Sequence, residues 1–183
     1  MTLCGITFRR YAEWMSAPPQ EFSMALSASV VRETAKVWAF GLTRIPLIAW
    51  LTPVVEEVSA QRCIVRIPLT WRSRNHLKAM YFGALCAGAD CAAGLIVMNQ
   101  ISRSSKRIDF VFKDLKADFL KRGEDDVVFT CVQGEQLMEL VRRAESTLDR
   151  VESTVKVVAT VPTRLGDEPI GVFHLTLSLR QRG

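Results

Sequence analysis

The chain has 183 residues, of which 24 are basic and 19 acidic, for a formal charge of +5. That length suits one domain with a proper core, and a hydrophobic share of 49% marks a folded chain. The mild positive balance permits an anionic ligand. With no arginine-rich helix, RNA-binding aromatic signature or zinc spacing beside it, it argues against a nucleic-acid partner.

Residues 1–28 are of mixed character and read as an N-terminal arm or leader, with Met24 an alternative start. Arg9 and Arg10 follow a short apolar stretch, but no secretory core with a cleavage site is visible, and a cytoplasmic location is expected. Residues 29–50 read as helix in pieces, kinked or ended by Pro46. Trp38, Phe40, Leu42, Ile45, Leu47 and Trp50 make this stretch strongly apolar. It either covers a sheet or a partner, or lies on a membrane surface.

Strands follow at residues 54–59 and 62–69, where Cys63, Val65, Ile67 and Leu69 share one face by alternation. A polar, basic loop spans 71–78, and a long helix spans 79–100. After a Ser-rich basic turn at 102–106, residues 107–115 alternate again, with Ile108, Phe110 and Phe112 on one side and Asp109 and Lys113 on the other. A strand is expected at 126–133 and a short amphipathic helix at 135–144. The last two strands are the cleanest. Val151 to Val161 alternate with Glu152, Thr154 and Lys156, and Phe173, Leu175, Leu177 and Leu179 alternate with His174, Thr176 and Ser178, which places His174 in a solvated or sheet-edge setting. Such alternation means antiparallel strands in a half-covered sheet. The order predicts one α+β domain over 29–183, with an extra N-terminal helix and the long helix lying against an antiparallel sheet.

The long helix carries a single charged residue, Asp90, among otherwise uncharged neighbours from Ala79 to Gln100. A bilayer span needs about 20 apolar residues and rarely tolerates a central Asp, so a buried helix fits better than a membrane span. A lone carboxylate in such a helix needs compensation. Either Asp90 is a satisfied structural acid, or it is held there for chemistry that wants a perturbed carboxylate.

Other chemistry is restricted. The five cysteines, Cys4, Cys63, Cys86, Cys91 and Cys131, are scattered without a CxxC pair and read as reduced, buried thiols. Only His76 and His174 are present, so a multi-histidine metal site is excluded. No GxSxG, GxxxxGK[ST] or GxGxxG occurs. Cys86 lies one turn before Asp90, but without a cationic neighbour it reads as packing and not as a nucleophile.

The segment NHLKAMYFGALCAGADCAAG, Asn75 to Gly94, resembles the hotdog-fold thioesterases, especially the phenylacetate-degradation (PaaI-like) type. That family carries an Asn, a His-Gly-Gly turn and a Leu-Ala-Asp near the middle of the helix. Asn75, Gly83, Ala89-Asp90 and Ala93-Gly94 match without a gap, while Tyr81 stands for the family His and Phe82 for its first Gly. The stretch from Phe112 to Phe129 resembles an uncharacterised subgroup of the superfamily, and the likeness covers residues 51–180. It implies a hotdog fold, a curved antiparallel sheet wrapped around a long central helix. It further implies an acyl-CoA thioesterase paired as a homodimer or dimer of dimers, with coenzyme A part of the substrate and no other cofactor. By the same resemblance Asp90 is the base, the amides of Phe82 and Gly83 form the oxyanion site, and Asn75 positions substrate or water. Tyr81, His76, Phe110 and Phe112 would contact the substrate. Arg103, Lys106 and Arg107 either hold the phosphates of coenzyme A or form a solvated turn. The hydratase branch needs a His five residues after its Asp, where this chain has Leu95.

Spacing adds a constraint. Phe82 and Asp90 are eight residues apart, about 12 Å along a helix, yet a reacting carbon must lie about 3 Å from both base and oxyanion donors. A site of this kind therefore combines two chains. Because Tyr81 and Phe82 depart from the family pattern, a non-catalytic acyl- or acyl-CoA-binding protein is the alternative. The bulk of Phe82, Leu85, Phe110 and Phe112 predicts a preference for medium, long or aromatic acyl groups over acetyl.

Overall fold

The computed structural model describes residues 28–182, so the arm expected at 1–28 and Cys4 lie, but for Ala28, outside the described residues. Two helices come first, α1 (Ala28–Arg44) and α2 (Pro46–Leu51). Pro46 lies in the first turn of α2, where its missing N–H is no loss, and so divides the apolar stretch in two. Strands β1 (Val54–Val58) and β2 (Cys63–Ile67) follow, then the long helix α3 (Phe82–Ile101). The rest comprises β3 (Ile108–Phe119), β4 (Val127–Cys131), α4 (Gly134–Ser146), β5 (Val151–Thr160), a single turn α5 (Pro162–Leu165) and β6 (Pro169–Gln181).

The six strands form one antiparallel sheet in the order β1-β2-β4-β5-β6-β3, which leaves β1 and β3 as its two edges. The curved sheet wraps α3, which contacts β2, β4, β5 and β6, while α4 packs beside it against β5. The alternating residues build the core as the sequence pattern requires: Cys63, Val65 and Ile67, Val155, Val157 and Ala159, and Phe173, Leu175, Leu177 and Leu179 are all buried. Burying so many apolar side chains is the main driving force for the fold. α3 passes the length and hydropathy test for a membrane span, but here it is the core helix inside the sheet. The buried Gln100 side chain donates to the carbonyls of Ala60 (3.3 Å) and Gly134 (2.9 Å), tying its C-terminal end to the loops beside β2 and α4.

Two details differ from the sequence pattern. β3 continues to Phe119 and does not stop near residue 115, because a bulge between Phe112 and Asp114 resets its register and pairing with β6 persists to Gly171. His174 is not at an edge. It is half-buried on β6, flanked by β5 and β3 and in register with Lys156 and Lys116, and its Nδ1 is buried without a hydrogen-bond partner among the described residues.

Candidate active site

The sheet closes around only part of α3. Along its open side, between the edges β1 and β3, lies a cleft of about 620 Å³. Phe110 and Phe112 of β3 form one wall, Val55 and Val58 of β1 the other, and Val37, Phe40 and Ile48 of the N-terminal helices, with Ile45 between them, close it over. Asp90, Gly94 and Met98 of α3 line the floor. The cleft is apolar apart from Asp90, Asn99 and Ser102 and, on α1, Glu33 and Lys36, which pair with each other at 2.8 Å.

Asp90 sits in the middle of α3, and its carboxylate has no hydrogen bond or ion pair among the described residues. Burial alone pushes the carboxyl up to about 6, because an apolar setting disfavours the charged form. Of the two settings the sequence left open, a structural acid satisfied by neighbouring groups is not what is found. Gly94, one turn on, leaves room for a methyl beside it: a Cβ there would lie 3.6 Å from Asp90 Oδ1 and 3.8 Å from the Phe112 ring, both ordinary contact distances.

A second group of residues gathers at the start of α3. Tyr81 is its N-cap and offers no side-chain hydrogen bond. Its carbonyl accepts from the N–H of Ala84 (2.9 Å) and Leu85 (3.1 Å), while the N–H groups of Phe82 and Gly83 have no acceptor within the described residues. Two unpaired amides at the positive end of a helix dipole form a donor pair suited to an anionic oxygen. The backbone here is pinned from outside: Met80 N–H donates to Gly123 (2.7 Å) and Tyr81 N–H to Ser73 (2.7 Å). Asn75 shapes the same loop, its Oδ1 accepting from the N–H of Leu77 (2.9 Å) and Ala79 (3.3 Å). The exposed Phe82 ring meets Tyr81 at 4.7 Å and Phe119, at the far end of β3, at 6.4 Å.

The sequence-predicted residues therefore fall into separate groups. Asp90, Phe110 and Phe112 share the cleft. Asn75, Tyr81, Phe82 and Gly83 share the helix start, with the exposed His76 in the same loop, and none of them lines the cleft. Leu85, expected in the acyl tunnel, is buried in the core instead. Arg103, Lys106 and Arg107 are exposed just past the other end of α3. Among the described residues Cys63, Cys86, Cys91 and Cys131 are free thiols whose ionisation burial opposes, which makes them poor nucleophiles. Sequence reasoning missed the roof of the cleft. Val37, Phe40 and Ile48 were visible as apolar residues, but nothing in their spacing said which side they would turn to Asp90.

An antiparallel sheet in this order around a long central helix is the hotdog fold. The solved structures agree. A Pseudomonas aeruginosa protein of unknown function described as a probable thioesterase matches with a TM-score of 0.67 at 19% identity, covering 81% of this chain and 96% of that one. A Chlorobaculum tepidum protein of unknown function matches with a TM-score of 0.71 at 12% identity over 84% and 97% of the two chains. A Haemophilus influenzae thioesterase matches with a TM-score of 0.59 at 14% identity over 78% and 88%. At these identities the likeness is one of fold. No curated protein matches in sequence. Residues 34–175 match the model of the family described as Domain of unknown function DUF4442, and the chain belongs to that family.

Proposed function

We propose that the protein hydrolyses a hydrophobic acyl thioester, acyl-CoA being the first candidate, with Asp90 as general base. The observation that carries this reading is the Asp90 carboxylate itself, unpaired, raised to about 6 and set in the floor of an apolar cleft. A base with a pKa just below neutrality is largely ionised at pH 7 and still basic enough to accept a proton from water. In the proposed reaction Asp90 takes a proton from water as the oxygen adds to the thioester carbonyl. The oxyanion is held by the free N–H groups of Phe82 and Gly83 from a second copy of the chain. Collapse expels the thiolate, and protonated Asp90 returns the proton to it. Asn75, which holds the loop before the helix, and Tyr81, its N-cap, position the oxyanion amides. His76 and the basic residues Arg103, Lys106 and Arg107, exposed near the two ends of α3, are assigned to the anionic end of coenzyme A.

The disposition of β3 supports a homodimer. It is an edge strand with one free side. Phe112 lies beside Asp90 and Gly94, and Phe119 lies against Phe82, so β3 runs past both halves of the site. Two copies paired antiparallel through β3 about a two-fold near its middle would set the helix start of each opposite Asp90 of the other. A dimer of dimers is compatible with the same pairing. Buried reduced cysteines suit a cytoplasmic location.

Non-catalytic acyl binding is the second reading. It is favoured by the Phe82 ring, which stands at the helix start where the thioesterase pattern has glycine. Acyl-CoA thioesters of graded chain length, offered to wild type and Asp90→Asn, separate the two. Hydrolysis of octanoyl or aromatic thioesters by wild type, lost in the variant, is expected. Saturable binding by wild type with no turnover would establish the second reading instead.

A further inference from the structure

The N-terminal helices and the loop after β2 also build a surface that the cleft does not use. Leu42 on α1, Leu47 and Trp50 on α2 and Trp71 in the loop are exposed by 72%, 57%, 50% and 64%. Leu47 and Trp50 stand three apart on α2, while Ile48 and Leu51 on its other side are buried. The Trp50 and Trp71 rings meet edge to face at 5.4 Å. The Arg72 guanidinium lies over both, 5.3 and 5.5 Å from their centroids. This contact joins the two segments into one patch.

The segments that build the patch carry cations and no carboxylate of their own; Asp126, which holds the Leu69 N–H at the start of the loop, is paired with Arg66. The chain has no carboxylate between Glu33 and Glu56, nor between Glu57 and Asp90. Arg44, Arg72, Arg74 and Lys78 make no ion pair among the described residues. Arg62 and Arg66, which also lie in this carboxylate-free stretch, are neutralised by Glu57 and by Glu56 with Asp126.

We propose that this patch docks the protein on an anionic lipid bilayer. Indole rings flanked by arginine suit the boundary between headgroups and acyl chains, and unpaired cations suit acidic headgroups. None of the four exposed apolar side chains lines the cleft. They project from the surface, a form of contact that a fluid bilayer accepts without a preformed pocket. A second copy is a poor occupant, because a two-fold contact would set Arg72 and its cationic neighbours against themselves. The patch adjoins the cleft through Ile45, which lines it and is also exposed, so a docked molecule would hold the cleft mouth near the lipid. The proposal rests on the surface alone and is independent of thioester hydrolysis.

The test is co-sedimentation of the full chain with vesicles of phosphatidylcholine alone and of phosphatidylcholine with phosphatidylserine, followed also by tryptophan emission. Binding to the anionic vesicles, a blue shift on binding and weakening by salt are expected. Leu47→Glu with Trp71→Ala, and separately Arg72→Gln, should lower the bound fraction tenfold or more while the melting temperature stays near wild type. Binding to neither vesicle, or binding that the variants leave unchanged, overturns the proposal. So does concentration-dependent self-association that the same variants abolish in the absence of any vesicle binding.

Discussion

The two faces of α3 each carry a glycine and do opposite things. On the sheet side Ala89, Ala92, Ala93 and Ile96 are fully buried, and Gly88 lies so close to β4 that a Cβ would fall 2.3 Å from the Phe129 ring. On the cleft side Asp90, Leu95, Met98 and Asn99 stay half-exposed, and a Cβ at Gly94 would only touch Asp90 and Phe112. One glycine lets backbone meet an aromatic ring, and the other leaves room for no more than a methyl beside a carboxylate. The contrast locates where the helix is held for stability and where for something else, because a packed core tolerates neither an unpaired carboxylate nor a void without loss.

The largest effect expected from breaking this contrast is on turnover. Asp90→Asn keeps the shape of the side chain and removes the base. Thioester hydrolysis should fall by about 10²-fold or more, while acyl-CoA binding, followed by calorimetry, persists. Undiminished turnover per folded molecule would remove Asp90 from the chemistry.

On the sheet side the readout is stability. Gly88→Ala pushes a methyl into the Phe129 ring, itself locked against Phe173 at 6.2 Å. Overpacking of this kind costs about 1–3 kcal/mol, measured as a drop in the urea midpoint. A midpoint equal to wild type would mean that the Phe129 ring can move aside and that the close approach is not a constraint.

Much of this contrast was legible in the sequence. Alternation in β5 and β6 gave the sheet its buried face, and the uncharged run around Asp90 gave the core helix, because period-two and all-round apolar patterns each have few packing solutions. The family-like segment from Asn75 to Gly94 supplied the candidate residues, and the helix rise between Phe82 and Asp90 already set them in separate clusters of one chain. Which side of the N-terminal helices faces the cleft was not legible. Trp38 and Trp50 are exposed while Val37, Gly41 and Ile48 are buried, and both sets are apolar. Tertiary contacts decide it: Gly41 lies against Ala49, too close for a side chain, the Trp38 indole donates to the Pro53 carbonyl at 2.8 Å, and the Val55 N–H donates to Thr34 Oγ1 at 3.0 Å.

Stability should also record the charge on Asp90. Its folded carboxyl titrates near 6, above its ordinary value of 3.8, so the folded state holds the proton more tightly than the unfolded chain does. The contribution to stability is complete below 3.8 and is lost as the pH rises through about 6. Asp90→Asn should therefore raise stability at pH 7.5, by about 1–2 kcal/mol once the carboxylate's access to the cleft is allowed for. The gain should vanish at pH 4. A variant that gains stability while losing turnover would show a destabilised site kept for function. Equal gains at both pH values would place the effect in packing and not in charge.

The smallest effect is the most discriminating. Gly94→Ala adds a Cβ at ordinary contact distance, 3.6 Å from Asp90 Oδ1 and 3.8 Å from Phe112. Nothing has to move, and alanine in a helix interior gains about 1 kcal/mol over glycine. The methyl also displaces water from the carboxylate, which raises its pKa further and takes back part of that gain at neutral pH. Net stability at pH 7.5 should thus change by less than about 1 kcal/mol, whereas at pH 4, with Asp90 protonated, the full helical gain should appear. The acid limb of the pH–rate profile should move upward in the same variant, because a base that is harder to ionise needs a higher pH to act. A stability gain independent of pH, with the acid limb unmoved, would mean that the room left at Gly94 serves the acyl chain and not the carboxylate.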